Sequence, residues 1–128
     1  MKRPAFQFYP GDWQRDSALR LCSIESRGLW IELMCLMHQG EPYGHLALNG
    51  AAMTPAQIAS LIGGGATTRK VARWLQELEQ ASVLSRDAEG RAYSRRMVRD
   101  EASRNQRAEF GRLGAQHGAK GAGHGVKG

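Results

Sequence analysis

The sequence predicts a mainly α-helical single domain with a small β-hairpin or sheet, and three observations carry that expectation. From Met53 to Ser94 the chain reads as helix, tight glycine-rich turn, helix and short hairpin. Ahead of this stretch, IESRGLWIELMCLMHQG supplies a longer and more apolar helix. Between the two, GHLALN followed by Asn49-Gly50 reads as a short strand and a turn. Two short helices at a sharp angle, then a hairpin, is the order of a winged helix-turn-helix, here expected over residues 6–94.

The elements follow in order. In FQFYPGDW, Phe6 and Phe8 share one face of a short strand or extended arm, and Pro10-Gly11 suits the centre of a type II turn. Aromatics this close together, with no cation interleaved before Arg15, point to a segment folded back onto a core. Asp16-Ser17 caps a short turn through Ala18–Leu21, and Ser23 caps the first long helix. Its broad buried face is expected from Ile24, Arg27, Leu29, Trp30, Leu33, Met34 and Met37, with Glu25, Glu32 and Gln39 left to solvent. Gly40 ends it and Pro42 forbids continuation. Leu46 and Leu48 then share a face of a strand expected to join the hairpin that follows the second and third helices.

Thr54 caps the next helix, with Pro55 at the first helical position, where its missing N–H costs nothing. Ile58, Leu61 and Ile62 keep helical spacing until Gly63-Gly64-Gly65 stops it, since glycine takes left-handed dihedrals without steric penalty. Thr67 or Thr68 caps the following helix, whose buried stripe is Val71, Trp74, Leu75 and Leu78. Val83-Leu84-Ser85 and Ala92-Tyr93-Ser94 are strand-prone and joined by Asp87-Ala88-Glu89-Gly90, a good hairpin loop. Residues 95–110 form a charged helical extension, and the glycine-rich basic segment 111–128 is expected to be disordered, since nothing in it repays ordering entropy.

Charge divides the chain. Through Ala66, five Lys/Arg balance five Asp/Glu, while from Thr67 onward thirteen Lys/Arg face seven Asp/Glu, so all of the net charge of +6 lies in the second half. A one-sided basic balance suits a polyanion such as nucleic acid. Two cysteines with no secretory signal pattern ahead of them, and no apolar run of membrane-spanning length, predict a cytoplasmic protein with reduced thiols and no membrane partner.

The opening FYPGDWQRDSALRLCSIESRGLWIELMCLMHQGEPYGHL, above all Tyr9-Pro10-Gly11-Asp12-Trp13, resembles the N-terminal winged-helix region of phage and prophage replication proteins of the YdaU-like and replisome-organiser type. The likeness runs from Phe6 to about Asp100 and includes a leucine-rich helix and a wing ending in basic residues. It implies a role in phage or prophage DNA replication or its control, through binding duplex DNA. Members often carry a further domain that contacts host helicase machinery. Here the chain runs out in glycine, which leaves DNA binding as the transferable part.

The residues themselves point the same way. Arg69 and Arg73 lie one helical turn apart, with Lys70 and Gln76 beside them, opposite the apolar stripe. Arg can grip guanine O6/N7 and Gln adenine N6/N7 through two hydrogen bonds each. Thr67 and Thr68 hydroxyls and the helix N-terminus suit phosphate. Against this stand Glu77 and Glu79, which would repel phosphates if they faced the groove, and an Arg73–Glu77 pair that would make the face merely solvated. In the hairpin, Arg86 and Arg91 flank a tip holding Asp87 and Glu89, and Arg95, Arg96 and Arg99 beyond it are better phosphate partners. No cofactor is expected. For metal, Cys22, Cys35, His38 and His45 are the set to consider, but they lack the spacing of a closed zinc site, and the same absence of supporting groups weighs against a Cys–His nucleophile. GGGATTRK lacks the G-x-x-x-x-G-K-[ST] phosphate loop, and the carboxylates are scattered, so no enzyme is predicted. The alternative to a DNA binder is a winged-helix interaction adaptor without DNA contact, dimerising or docking host replication proteins through the aromatic N-terminal phrase and an exposed Trp74.

Overall fold

The computed structural model describes residues 4–120. The protein is mainly helical, with short antiparallel strand pairs, and divides after Val98 into two compact units. The first unit begins with α1 (Pro10–Arg15), where the sequence suggested a type II turn. Proline's fixed φ fits a first helical turn as well as a turn corner, and the Trp13 N–H closes that turn on the Tyr9 carbonyl at 2.9 Å. Phe6 and Phe8 belong to no strand. They part to different partners, Phe6 against the His38 ring and Phe8 against Trp13.

In α2 (Ser17–Leu21) the Asp16 carboxylate accepts from the N–H groups of Ala18 and Leu19, at 2.9 and 3.2 Å. In α3 (Ile24–His38) the Ser23 hydroxyl accepts from Ser26 N–H at 3.1 Å. Leu29, Trp30, Leu33, Met34 and Met37 are buried as their spacing predicts, but Ile24 is 72 % exposed. At the first helical position it lies beyond the reach of the stripe, and its neighbour Leu21 is exposed as well. Past the helix, the chain doubles back so tightly that a Cβ on Gly40 would stand 2.0 Å from the His45 carbonyl oxygen.

β1 (Ala47–Leu48) and β2 (Ala51–Ala52) pair across Asn49-Gly50, both at positive φ, which is the backbone of a type I′ hairpin turn. The strand expected to join the later hairpin pairs with β2 alone; contact with that hairpin comes just before it, where Leu46 N–H donates to Ala92 O at 2.8 Å, Ser94 N–H to Gly44 O at 3.0 Å, and His45 forms an isolated bridge with Tyr93.

α4 (Pro55–Ile62) opens with a complete capping box. Gln57 N–H donates to the Thr54 hydroxyl, and its side-chain oxygen accepts from Thr54 N–H. Gly63, Gly64 and Gly65 all take positive φ and turn the chain into α5 (Thr68–Gln80), capped by Thr67. Val71, Leu75 and Leu78 of α5 are fully packed between α3 and α4, with Ile58 from α4 and Leu33 and Met37 from α3 in the same core. Trp74 is half-buried against that core. α5 closes with Ser82 in the left-handed region, Val83 N–H returning to Leu78 O and Ser82 N–H to Glu79 O, a Schellman motif without its usual glycine.

β3 (Ser85–Arg86) pairs antiparallel with β4 (Ala92–Tyr93), Ser85 opposite Tyr93. α6 (Arg95–Lys120) starts from Ser94, whose buried hydroxyl accepts from Met97 N–H. Burial of Met97 and the fit of Val98 against Gly44 extend the first unit beyond Ser94.

The second unit, from Arg99, is the remainder of α6, exposed throughout residues 102–115. The helix continues to Lys120, past Phe110 where the expected extension ended, and residues 121–128 of the tail expected to be disordered lie outside the described ones. Good helix formers (Ala108, Glu109, Arg112, Leu113, Ala115) and an Arg112–Glu109 ion pair one turn apart favour the helix here against Gly111, Gly114 and Gly118, each worth about 1 kcal/mol the other way. No helix among the described residues is long and apolar enough to cross a membrane.

Candidate nucleic-acid interface

The surface of α5 is set by what its inner side must do. With Val71, Leu75 and Leu78 committed to the core, Arg69, Lys70, Arg73 and Gln76 are turned outward, and all four are exposed together with Thr67 and Thr68. Among the described residues no carboxylate lies within ion-pair distance of Arg69, Lys70 or Arg73. Thr67 spends its hydroxyl oxygen on Lys70 N–H, 3.2 Å away, and so fixes the first turn from which these cations project.

The two acids that weighed against this face are both engaged elsewhere. Glu77 is swung onto the N-terminus of α3, where its carboxylate accepts from Ser23 N–H at 2.7 Å, from the Ser23 hydroxyl at 2.9 Å and from the Ser26 hydroxyl. The Ser26 hydroxyl, then the Ser23 N–H and hydroxyl, with the charge of Arg73, hold its carboxyl below the ordinary range against the opposing effect of burial. The same negative charge adds to burial in raising the Cys22 thiol. Glu79 accepts from Arg86 Nε at 2.9 Å. So Arg73 and Glu77 do not simply cancel as a solvated pair: Glu77 is an anchor between helices, and Arg73 stays exposed.

The hairpin cations are engaged by the hairpin and the elements next to it. Arg86 joins Glu79 and donates to the Gly90 carbonyl at 3.0 Å. Arg91, 17 % exposed along its side chain, donates Nε to Asp87 at 2.8 Å, contacts Glu89 and reaches the Gly50 carbonyl at 3.0 Å. Burial alone would raise the Asp87 carboxyl, but the N–H, guanidinium and charge of Arg91, with the Glu89 N–H, pull it below the usual value. The tip therefore has its arginines matched by acids and is tied through Arg91 to the β1–β2 turn.

Arg95 is exposed yet tied to Ser85 Oγ at 2.6 Å and the Ser82 carbonyl at 2.8 Å. Arg96 pairs with Asp12 at 2.8 Å and lies over the Tyr9 ring, 4.2 Å from its centroid. Arg99 is exposed and belongs to the second unit. Of the eleven residues singled out in the sequence, the structure gathers Thr67, Thr68, Arg69, Lys70, Arg73 and Gln76 at the outer face of one helix and gives Arg86, Arg91, Arg95 and Arg96 intramolecular partners. The anchoring of Glu77 by Ser23 and Ser26 escaped sequence reasoning, because its partners lie more than fifty residues away. Among the described residues no cluster of three or more His, Cys, Asp or Glu is arranged to hold a metal ion. Compared with protein-family models, curated proteins and solved structures, the chain has no match.

Proposed function

We propose that the protein is a winged helix-turn-helix DNA-binding module of phage or prophage type, acting in DNA replication initiation or its control. In this reading α4 and α5 are the helix-turn-helix, the β3–β4 hairpin is the wing, and α5 enters the major groove of duplex DNA. One observation carries it: Arg69, Lys70 and Arg73 stand exposed on α5 without carboxylate partners among the described residues, while Glu77 and Glu79 of the same helix are held elsewhere. Arg69, Arg73 and Gln76 are the base readers, and Lys70, Thr67 and Thr68 meet phosphate. The wing contributes little charge as it stands, because Arg86 and Arg91 already have acids. The link to replication rests on the likeness of Tyr9–Trp13 and the following helix to that family. The adaptor alternative would use the aromatic N-terminal phrase and Trp74; Phe8 is exposed, while Phe6, Trp13 and Trp74 pack in part against the core and keep only part of their surface for a partner.

The test is a mobility-shift titration of duplex DNA with wild type and Arg69→Ala/Arg73→Ala at two salt concentrations. If both side chains lie on phosphates or in the groove, the double variant loses affinity and its salt dependence flattens by roughly 1.8 in log–log slope, about 0.9 per phosphate contact. Equal binding and an equal slope refute the assignment.

A further inference from the structure

Well away in sequence from α5, a groove of about 350 Å³ opens between α1, α2 and the first half of α3. Its apolar lining comes from Trp13, Ile24 and Ile31, and its charged lining from Arg20 and Arg27. No carboxylate lines it. The acids of the adjoining elements are otherwise engaged or placed: Asp12 pairs with Arg96 and Arg15, Asp16 caps α2, and Glu25 and Glu32 occupy other positions of α3. Arg27 gives Nε to the Cys22 carbonyl, which fixes the guanidinium beside the groove without neutralising it. Arg20 reaches only the Trp13 carbonyl, at 3.5 Å.

Two features show that this opening is uncovered apolar surface. Ile24 and the adjacent Leu21 are 72 % and 82 % exposed, although both are large aliphatic side chains on helices that otherwise point such residues inward. Gly28 sits mid-helix on the groove side, where glycine weakens a helix relative to alanine. No heavy atom lies within 4 Å of where its Cβ would be, so close packing inside the protein gives no reason for a glycine. Its effect is to keep the floor low enough for another chain to approach.

We propose that this groove docks a short acidic and apolar peptide segment of a partner protein, aliphatic or aromatic side chains filling the space over Gly28 and carboxylates meeting Arg20 and Arg27. A purely anionic ligand would leave Ile24 and Ile31 in water, and a purely apolar one would desolvate two guanidiniums without a partner. Single-stranded nucleic acid fits less well, because base stacking wants aromatic platforms and this floor is chiefly aliphatic.

The experiment uses the full chain and a fluorescein-labelled peptide alternating glutamate with leucine and phenylalanine, followed by anisotropy. Its controls are the same peptide with lysine for glutamate, an all-glutamate peptide and a labelled single-stranded oligonucleotide. Binding of the acidic-apolar peptide alone is expected, weakened at least about tenfold by Arg20→Glu/Arg27→Glu through like-charge opposition. Gly28→Gln, which fills the floor with a good helix former and leaves the charges untouched, is expected to weaken binding to a similar degree while thermal unfolding shows the fold intact. No binding up to about 1 mM peptide overturns the proposal. So does binding indifferent to both variants, binding of the all-glutamate peptide with equal affinity, or competition by the oligonucleotide at the same residues.

Discussion

Replacing Glu77 is the most informative single change in this protein. Its carboxylate takes three hydrogen bonds from the start of α3, two from Ser23 and one from Ser26, and Ser26 is fully buried. In Glu77→Ala the Ser26 hydroxyl loses its carboxylate acceptor and keeps only the Ser23 hydroxyl, 3.2 Å away, a loss of about 1–3 kcal/mol for a buried polar group. Removing a negative charge from the N-terminal end of α3 adds about 0.5 kcal/mol. These contributions overlap, and water reaches part of the site, so about 2–3 kcal/mol is expected in all. At roughly 4–8 °C per kcal/mol for a domain of this size, the melting temperature should fall by about 10–20 °C. Glu77→Gln keeps one acceptor oxygen and should lose about half as much.

The pH dependence has a definite sign. The Glu77 carboxyl is held below its ordinary value of 4.5 in the folded state, so its contribution is fully present above that value and is lost as pH falls through the lower, folded one. Thermal and urea unfolding of wild type and Glu77→Gln should therefore differ most near neutral pH and converge in acid. An Ala substitution within about 0.5 kcal/mol of wild type at neutral pH, or a gap between wild type and Glu77→Gln that does not close in acid, would refute the anchor.

Three other changes test separate parts of the structure. Ser82→Gly should stabilise by about 1 kcal/mol, because a non-glycine residue in the left-handed region at the end of α5 carries a penalty glycine avoids; a lower melting temperature would contradict the capping geometry. Gly40→Ala should destabilise by about 3 kcal/mol or more, since its Cβ would overlap the His45 carbonyl, and a neutral effect in urea titration would mean the chain reversal is less tight than found. Asp87→Ala should remove the main carboxylate partner of Arg91 and loosen the hairpin, seen as faster amide exchange at Glu89 and Arg91; unchanged exchange would mean the loop does not depend on this carboxylate.

The helices were legible because their signals are local. Thr54 with Pro55, Ser23 ahead of its apolar run, and Thr67 ahead of Val71, Leu75 and Leu78 declare their helices within a few residues. Asn49-Gly50 likewise announces its turn. What failed to show was non-local or ambiguous. Pro10-Gly11 suits a turn corner or a helix start, and only the reach of Trp13 N–H to Tyr9 decides it. Ile24 has the right spacing for the core but sits where no element covers it. The outward cations of α5 followed from periodicity, and the acids at the tip beside Arg86 and Arg91 are near in sequence, whereas the hold of Arg91 on Gly50 and of Arg96 on Asp12 comes from distant contacts that charge counting cannot see.

The hold of Arg91 on Gly50 has a mechanical meaning. One side chain moors the β3–β4 tip to the bend of the β1–β2 ribbon, so the two loops are yoked and neither swings alone. A polyanion that drew this guanidinium toward itself would cast off the Asn49-Gly50 bend in the same motion. Contact at the tip would then be felt forty residues earlier in the chain, as slack in a ribbon the ligand never touches.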